Sequence, residues 1–322
     1  MRTKIIIICF LFSVCGLSAQ ETYAFAERDS VMHLDVYKPA KPNGYTIVHV
    51  FGGGFVGGYR IKKWDADYCR QLADSGFTAV AIDYRLGLRG VKNVGLKTID
   101  ALEQAIYMAV EDCSAAVAYI VTHSAEVGID PQKIIIEGSS AGAITALMTD
   151  YARCNGLPCA AALPDNWTPA AIVAYSGAIF SRQGKPKWGN DKKLQEVQKV
   201  QEGQGGQEVS RGARDAAPTL MFHGTADKLV PYKQIELGKT GLYGSSAIAK
   251  QMKKQNIPYQ IHRYTDLGHE VSIGGPLTAD VLCLFVRQFI QEKRKLHIDT
   301  TIRDDAYPPS EFSKISAKDI YK

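Results

Sequence analysis

The run Lys133-Ile-Ile-Ile-Glu137 passes without a break into Gly138-Ser139-Ser140-Ala141-Gly142, and small or apolar residues continue to Tyr151. Three consecutive isoleucines favour an extended, fully buried strand, whereas the small residues after Ser140 favour a helix packed closely on that strand. The junction must therefore be a sharp strand-to-helix turn. A turn this tight forces strained backbone angles on its central residue, Ser140, and glycines two before and two after relieve the crowding. The hydroxyl of Ser140 then projects at the top of a sheet. The N–H of Ala141, at the start of the helix, would face a developing oxyanion, aided by the partial positive charge of the helix N-terminus.

The same strand-then-helix alternation extends in both directions. Tyr45 to Phe51, Thr78 to Ile82, Ala171 to Tyr175, Thr219 to Phe222 and Tyr259 to Tyr264 read as further strands, nearly continuous in apolar residues. Amphipathic or helical stretches lie at 62–74, 99–122, 232–255 and 278–292, and residues 22–38 begin the chain as a hairpin. Alternation of this kind specifies an α/β domain, a parallel sheet with helices on both faces, spanning residues 21–292. Two segments break the rhythm. Residues 181–215, rich in Gly, Gln and Lys, are expected to form a mobile insertion or lid, and residues 293–322, with Pro308-Pro309, an extended tail.

The 322-residue chain has 46% hydrophobic and 22% charged residues, ordinary values for a globular protein, which excludes a largely disordered chain. It opens with a leader: Arg2 and Lys4, the apolar run Ile5 to Leu17, and Ser18-Ala19-Gln20. Thirteen apolar residues are too few to span a bilayer, and the layout is that of a secretory signal over residues 1–20, cleaved near Ala19 or Gln20. Lipid anchoring at Cys15 is disfavoured by bulky Val14. The mature chain is thus expected in the periplasm or outside the cell, with no later membrane-length segment. Its net charge falls from +5 to +3 with the leader gone, too weak and dispersed to indicate a nucleic-acid partner. Export permits disulfides among Cys69, Cys113, Cys154, Cys159 and Cys283. The turn between Cys154 and Cys159 could bring those two together, while an odd count leaves one thiol over. No cysteine spacing suggests a structural metal, and no cofactor is indicated.

A serine hydroxyl is a weak nucleophile and needs a base, which needs an orienting acid. In Phe222-His-Gly-Thr-Ala-Asp227 and Leu267-Gly-His269-Glu, Asp227 and His269 each fall in a loop just past a strand. In a parallel sheet such loops share one edge with Ser140, so the three can converge. Asp266 belongs to the same loop as His269, and His223 ends a strand, where it reads as structural. His33, His49, His123, His262 and His297 lie in strands, a helix or the tail. Further backbone donors should come from Phe51-Gly52-Gly53-Gly54-Phe55-Val-Gly57-Gly58, where glycines let N–H groups turn toward a substrate oxygen. Gly53 and Gly54 are the candidate donors, with Phe55 and Tyr59 as candidate substrate-pocket walls. The loop also fits a rival motif, Gly52-x-Gly54-x-x-Gly57 with Asp83 ending the next strand, the layout of a dinucleotide-binding fingerprint. No good helix follows Gly57 at once, which counts against that motif.

The ordered set FGGGF, Asp83-Tyr84-Arg85-Leu86, GSSAG, HGTAD and LGHE resembles the α/β-hydrolase superfamily over roughly residues 31–290, in particular esterases and lipases with an HGGG-type oxyanion loop. The resemblance implies an eight-stranded, mostly parallel sheet, nucleophile Ser140, acid Asp227, base His269 and an oxyanion hole of Gly53, Gly54 and Ala141. Phe51 stands where such loops usually open with histidine. The implied activity is hydrolysis of small acyl or aryl esters, including acyl-sugar esters, through an acyl-enzyme. A serine peptidase of the same superfamily and an inactive hydrolase-fold binding protein are the alternatives. The substrate's acyl group and the oligomeric state are not legible.

Overall fold

The computed structural model describes residues 20–92, 98–189, 216–273 and 278–303. The opening hairpin forms as expected: β1 (Gln20–Glu27) and β2 (Val31–Tyr37) pair antiparallel across the turn at Arg28-Asp29-Ser30. Next come β3 (Thr46–Val50), α1 (Lys63–Asp74), β4 (Thr78–Ile82), α2 (Ile99–Thr122), the single turn α3 (Ser124–Val127), β5 (Ile134–Ser139) and α4 (Ala141–Asn155). After β6 (Ala171–Tyr175) and β7 (Ala178–Ser181) follow β8 (Thr219–Gly224), β9 (Gln234–Leu237), β10 (Thr240–Gly244), α5 (Ser245–Lys254), β11 (Tyr259–Tyr264), α6 (Thr278–Phe285) and β12 (His297–Ile302).

The large sheet has the order β1-β2-β4-β3-β5-β6-β8-β11-β12, parallel from β4 onward, with the antiparallel pairs β1–β2 and β2–β4 at one edge. Successive residues of a strand point to opposite faces. Thus Ile134 and Ile136 join the core under α2 and α4, while Ile135 joins the one under α1 and α6. This two-sided burial is why the central strands carry no polar alternation. The chain therefore has the α/β-hydrolase architecture.

Three expectations are corrected. The sheet has nine strands rather than eight, because residues 297–302, expected in the tail, pair parallel with β11. Ile298 and Ile302 pack on the core there, while the charged flank Lys293-Arg294-Lys295 hides the strand in the sequence. Residues 234–244, expected to be helical, form a hairpin instead, and only α5 is helix. The two-residue turn Gly238-Lys239, with Gly238 at φ +63°, sets the β9–β10 register. Pairing of β10 with β7 then builds a second, three-stranded antiparallel sheet. Finally, Cys154 and Cys159 are not bridged; all five cysteines of the described residues are free thiols.

One helix, α2, has the length and apolar content of a membrane span, contrary to the sequence expectation. Ala105, Ile106, Ala109 and Val110 lie fully buried in the same core as α4, as in the central helix of a globular domain. Residues 1–19 of the expected leader (1–20) and most of the expected lid (181–215), from 190 on, lie outside the described residues, while Gln20 begins β1.

Candidate active site

Ser140 occupies the turn between β5 and α4 with φ +53° and ψ −116°, a conformation that costs a non-glycine residue about 1–3 kcal/mol. The surroundings hold it there: its N–H donates to the Tyr175 carbonyl at 2.8 Å, and its carbonyl accepts from Ile144 N at 2.9 Å. The flanking glycines are dictated by space. A Cβ on Gly142 would stand 1.9 Å from the Val50 carbonyl oxygen, and one on Gly138 2.3 Å from the Gly142 backbone. The G-x-S-x-G spacing therefore reflects β3 and α4 packing directly on the turn.

Loops after β8 and β11 bring Asp227 and His269 to the same edge. The Ser140 hydroxyl lies 2.8 Å from His269 Nε2, and His269 Nδ1 lies 2.8 Å from Asp227 Oδ2. With Nδ1–H donating to the carboxylate, Nε2 carries a lone pair and accepts from the serine. Asp227 is buried, and its other oxygen accepts the N–H groups of Leu229 and Val230 at 2.9 and 3.0 Å. Burial by itself would raise the Asp227 carboxyl, but the neighbouring His223 and His269 outweigh it and hold the group well below the usual carboxylate range. The acid is thus ionised and fixed.

Sequence reasoning missed the part played by His223. It is fully buried, with Nδ1 2.8 Å from Ser245 Oγ and Nε2 3.2 Å from the Val230 carbonyl and 3.4 Å from Asp227 Oδ2. It is structural, as expected, and it also braces the acid from behind. The four-residue offset between His223 and Asp227 in HGTAD is the signal that could have revealed this.

In the glycine loop, Gly53 (φ +134°) turns so tightly that a Cβ would meet the Gly57 carbonyl oxygen at 2.0 Å. Phe51 stacks on Tyr84 with ring centroids 4.3 Å apart, and the Tyr84 hydroxyl donates to the Phe51 carbonyl at 2.9 Å. A phenylalanine–tyrosine stack therefore anchors the loop at Phe51, the position where the sequence resemblance implied histidine. The acid of the rival dinucleotide motif, Asp83, is engaged otherwise, 2.8 Å from the Arg60 guanidinium and accepting the His33 N–H.

A cleft of about 250 Å³ opens over Ser140. Gly54 and Ala141 line it beside the serine, as does Phe55; Gly53 is not among its lining residues. Aliphatic side chains form most of the remaining wall, with Leu229, Ile235, Leu237 and Leu242 brought in by the acid loop and the β9–β10 hairpin. Tyr59, expected as a wall, is 56% exposed and lines a separate cleft with Arg85 and Arg89, so that assignment is corrected. Among the described residues, no group of three or more His, Cys, Asp or Glu is arranged to hold a metal.

Sheet order, elbow and converging loops define the α/β-hydrolase esterase class. Residues 34–242 match the BD-FAE family, and the chain belongs to that family. It is 35% identical over 118 residues to a probable isoprenylcysteine alpha-carbonyl methylesterase of rice, covering 36% of this chain and 24% of the rice protein. It is 23% identical over 173 residues to gut esterase 1 of Caenorhabditis elegans, covering 52% of this chain and 28% of that one. The chain thus matches about a quarter of the length of these relatives. Among solved structures, an esterase (Est2) of Thermogutta terrifontis superposes with TM-score 0.55 at 23% identity, covering 86% of this chain and 93% of its own.

Proposed function

We propose that this protein is a serine carboxylic-ester hydrolase, and the observation that carries the reading is the unbroken line Ser140–His269–Asp227, with 2.8 Å at each step. His269 takes the hydroxyl proton as Ser140 Oγ attacks the ester carbonyl. The oxyanion that forms is stabilised by the N–H of Ala141, at the first position of α4 where no intrahelical acceptor exists, together with the Gly53–Gly54 loop. Protonated His269 gives its proton to the departing alcohol. Water, deprotonated by the same nitrogen, then releases the acid from the acyl-enzyme. Asp227 stays ionised and orients the imidazole throughout. The aliphatic cleft suits short acyl or aryl groups, and the N-terminal leader suits export.

The test is hydrolysis of p-nitrophenyl acetate and butyrate by wild type and by Ser140→Ala. The variant should lose roughly 10⁶-fold in kcat, remain folded by circular dichroism, and escape labelling by a fluorophosphonate probe that marks the wild type. Full activity in Ser140→Ala would remove the serine from the mechanism, and a wild type that neither turns over esters nor takes the probe would identify an inactive binding protein.

A further inference from the structure

We propose that Arg60 is a positioning residue for the ester hydrolysis. Its guanidinium, set between Asp35 and Asp83, holds the Gly53–Gly54 loop in the shape that presents backbone N–H groups to the oxyanion. The catalytic half of this statement rests on the ester-hydrolase reading above; the holding of the loop does not.

The clamp is built on the β2–β4 pair. Asp35 stands opposite Ala81, and Asp83, one residue past β4, continues that register opposite His33. The Asp83 N–H donates to the His33 carbonyl at 2.9 Å, and its Oδ2 accepts the His33 N–H at 3.0 Å. Residues 33 and 35 are two apart on one strand, so the carboxylates of Asp35 and Asp83 share a face and stand at a diagonal. Like charges so placed repel. Arg60 offsets this: Nη1 donates to Asp83 Oδ2 at 2.8 Å, and Nε lies 2.9 Å from Asp35 Oδ2, a charge contact whose angle falls short of a hydrogen bond. Asp35 is fully buried, and its other oxygen accepts the Thr22 hydroxyl at 2.6 Å. The planar fork of an arginine serves two carboxylates at once, which the point charge of a lysine does not.

Position ties the clamp to the loop. Arg60 comes two residues after Gly58, where the loop closes on itself. A Cβ on Gly58 would meet the Gly52 carbonyl oxygen at 2.6 Å and the Phe51 ring at 2.7 Å. A displacement at Gly58 must therefore displace Gly52, the residue just before the candidate donors. The segment after β4 also grips the loop elsewhere, with the Tyr84 hydroxyl on the Phe51 carbonyl and the Leu88 N–H on the Phe55 carbonyl at 3.0 Å. Tyr84 thus holds the entry, Leu88 the middle, and Asp83, through Arg60, the exit.

The exit is the strongest of the three holds. The entry and middle bonds are neutral, whereas a hydrogen bond between ions is roughly twice as strong, and the Arg60 side chain is only 16% exposed, so water screens it little. Arg60 is not among the residues lining the Ser140 cleft. It acts on the reaction through the loop alone, so its loss should lower kcat and leave KM nearly unchanged.

The experiment compares wild type with Arg60→Gln, Arg60→Lys and Asp83→Asn. Hydrogen exchange of the Val56 and Gly57 amides, both bonded to the Gly53 carbonyl at 3.1 Å, reads the loop without any ester. Arg60→Gln should exchange these amides about tenfold faster, and Arg60→Lys should recover part of the protection. With p-nitrophenyl butyrate, kcat per active site titrated by a fluorophosphonate should fall roughly 10²-fold in Arg60→Gln, the loss typical of a removed oxyanion contact. KM should stay within about threefold of wild type. A trifluoromethyl ketone, whose hemiketal oxyanion needs the same donors, should lose affinity by the same factor as kcat. Asp83→Asn leaves Arg60 beside the buried Asp35, so it should fold and show the same pattern at about tenfold; it decides the matter if Arg60→Gln does not fold. Unchanged exchange of the two amides, a kcat per site within about threefold of wild type, or a kcat loss that the ketone does not match would overturn the assignment. Faster exchange in the variants beside a wild type inert toward every ester would keep the clamp and refute the ester-hydrolase reading instead.

Discussion

His269 and His49 both bond carboxylates, and only His269 keeps a nitrogen that can act as a base. His269 gives Nδ1 to Asp227 and leaves Nε2 facing the Ser140 hydroxyl at the lip of the cleft. His49 lies fully buried on β3, with Nδ1 2.6 Å from Glu137 and Nε2 3.1 Å from Asp65 on α1. Both His49 nitrogens meet acceptors, so both contacts are hydrogen bonds only when the ring carries two protons. Burial alone would lower the His49 pKa, but the two carboxylates prevail and push it up to about 9. The ring is therefore a structural cation tying α1 and β3 to β5, the strand that ends at the Ser140 turn. A histidine–carboxylate pair becomes catalytic when one nitrogen is left for a reacting proton, and it becomes a clasp when none is.

The most forceful way to break this contrast is to spoil the tautomer at the rim. Asp227→Asn removes the acceptor that keeps the proton on Nδ1, and kcat for p-nitrophenyl butyrate should fall roughly 10⁴-fold with the fold retained. A loss below about tenfold would mean that His269 needs no orienting acid. Because Asp227 is held well below the usual carboxylate range, activity should survive acidification through that range without loss from protonation of this carboxyl.

The comparison also separates what sequence discloses from what it hides. Ser140, Asp227 and His269 were legible because each sits just past a strand, and strands buried on both faces announce themselves by unbroken apolar runs such as Ile134 to Ile136. The clasp was not legible. His49 and Glu137 are 88 residues apart and meet only because β3 and β5 pair in parallel with those two residues in register. The β9–β10 wall and β12 were lost for a related reason. Each is short, with few apolar residues set among polar and charged ones, so its pattern resembles a solvated helix or tail until a neighbouring strand supplies the pairing. Tyr59 was misplaced because nearness in sequence to a glycine loop says nothing about which side of that loop a side chain occupies.

The clasp makes its own, intermediate prediction. A histidine whose folded pKa lies above its unfolded value of 6.5 adds stability that is complete below 6.5 and is lost as pH rises through about 9. Unfolding free energy from urea titration should therefore drop by about 3 kcal/mol between these limits. Glu137→Gln should flatten that slope and lower stability near neutral pH by about 3–5 kcal/mol, as expected for a buried charge deprived of its partner. Per folded molecule its kcat should stay within a few-fold of wild type, since the clasp is sealed from substrate. A stability curve that is flat from pH 6.5 to 9 would refute the cationic ring, and a kcat loss approaching that of Asp227→Asn would erase the distinction between clasp and base.

The smallest effect sharpens the contrast at the glycine loop, where no charge is involved. Tyr84 holds this loop by stacking on Phe51, by an edge contact with Phe55 at 6.3 Å, and by its hydroxyl bond to the Phe51 carbonyl. Tyr84→Phe keeps both ring contacts and deletes only the hydroxyl, at a cost of about 1 kcal/mol in stability. If the stack sets the loop's conformation, kcat should change less than about threefold. If the hydroxyl bond sets it, the misplaced donors should lower kcat toward the roughly 10²-fold loss typical of removing an oxyanion contact, with KM little changed. Tyr84→Leu, which removes both, should reach that larger loss in either case, so the Phe variant alone decides which interaction stands in for the absent histidine.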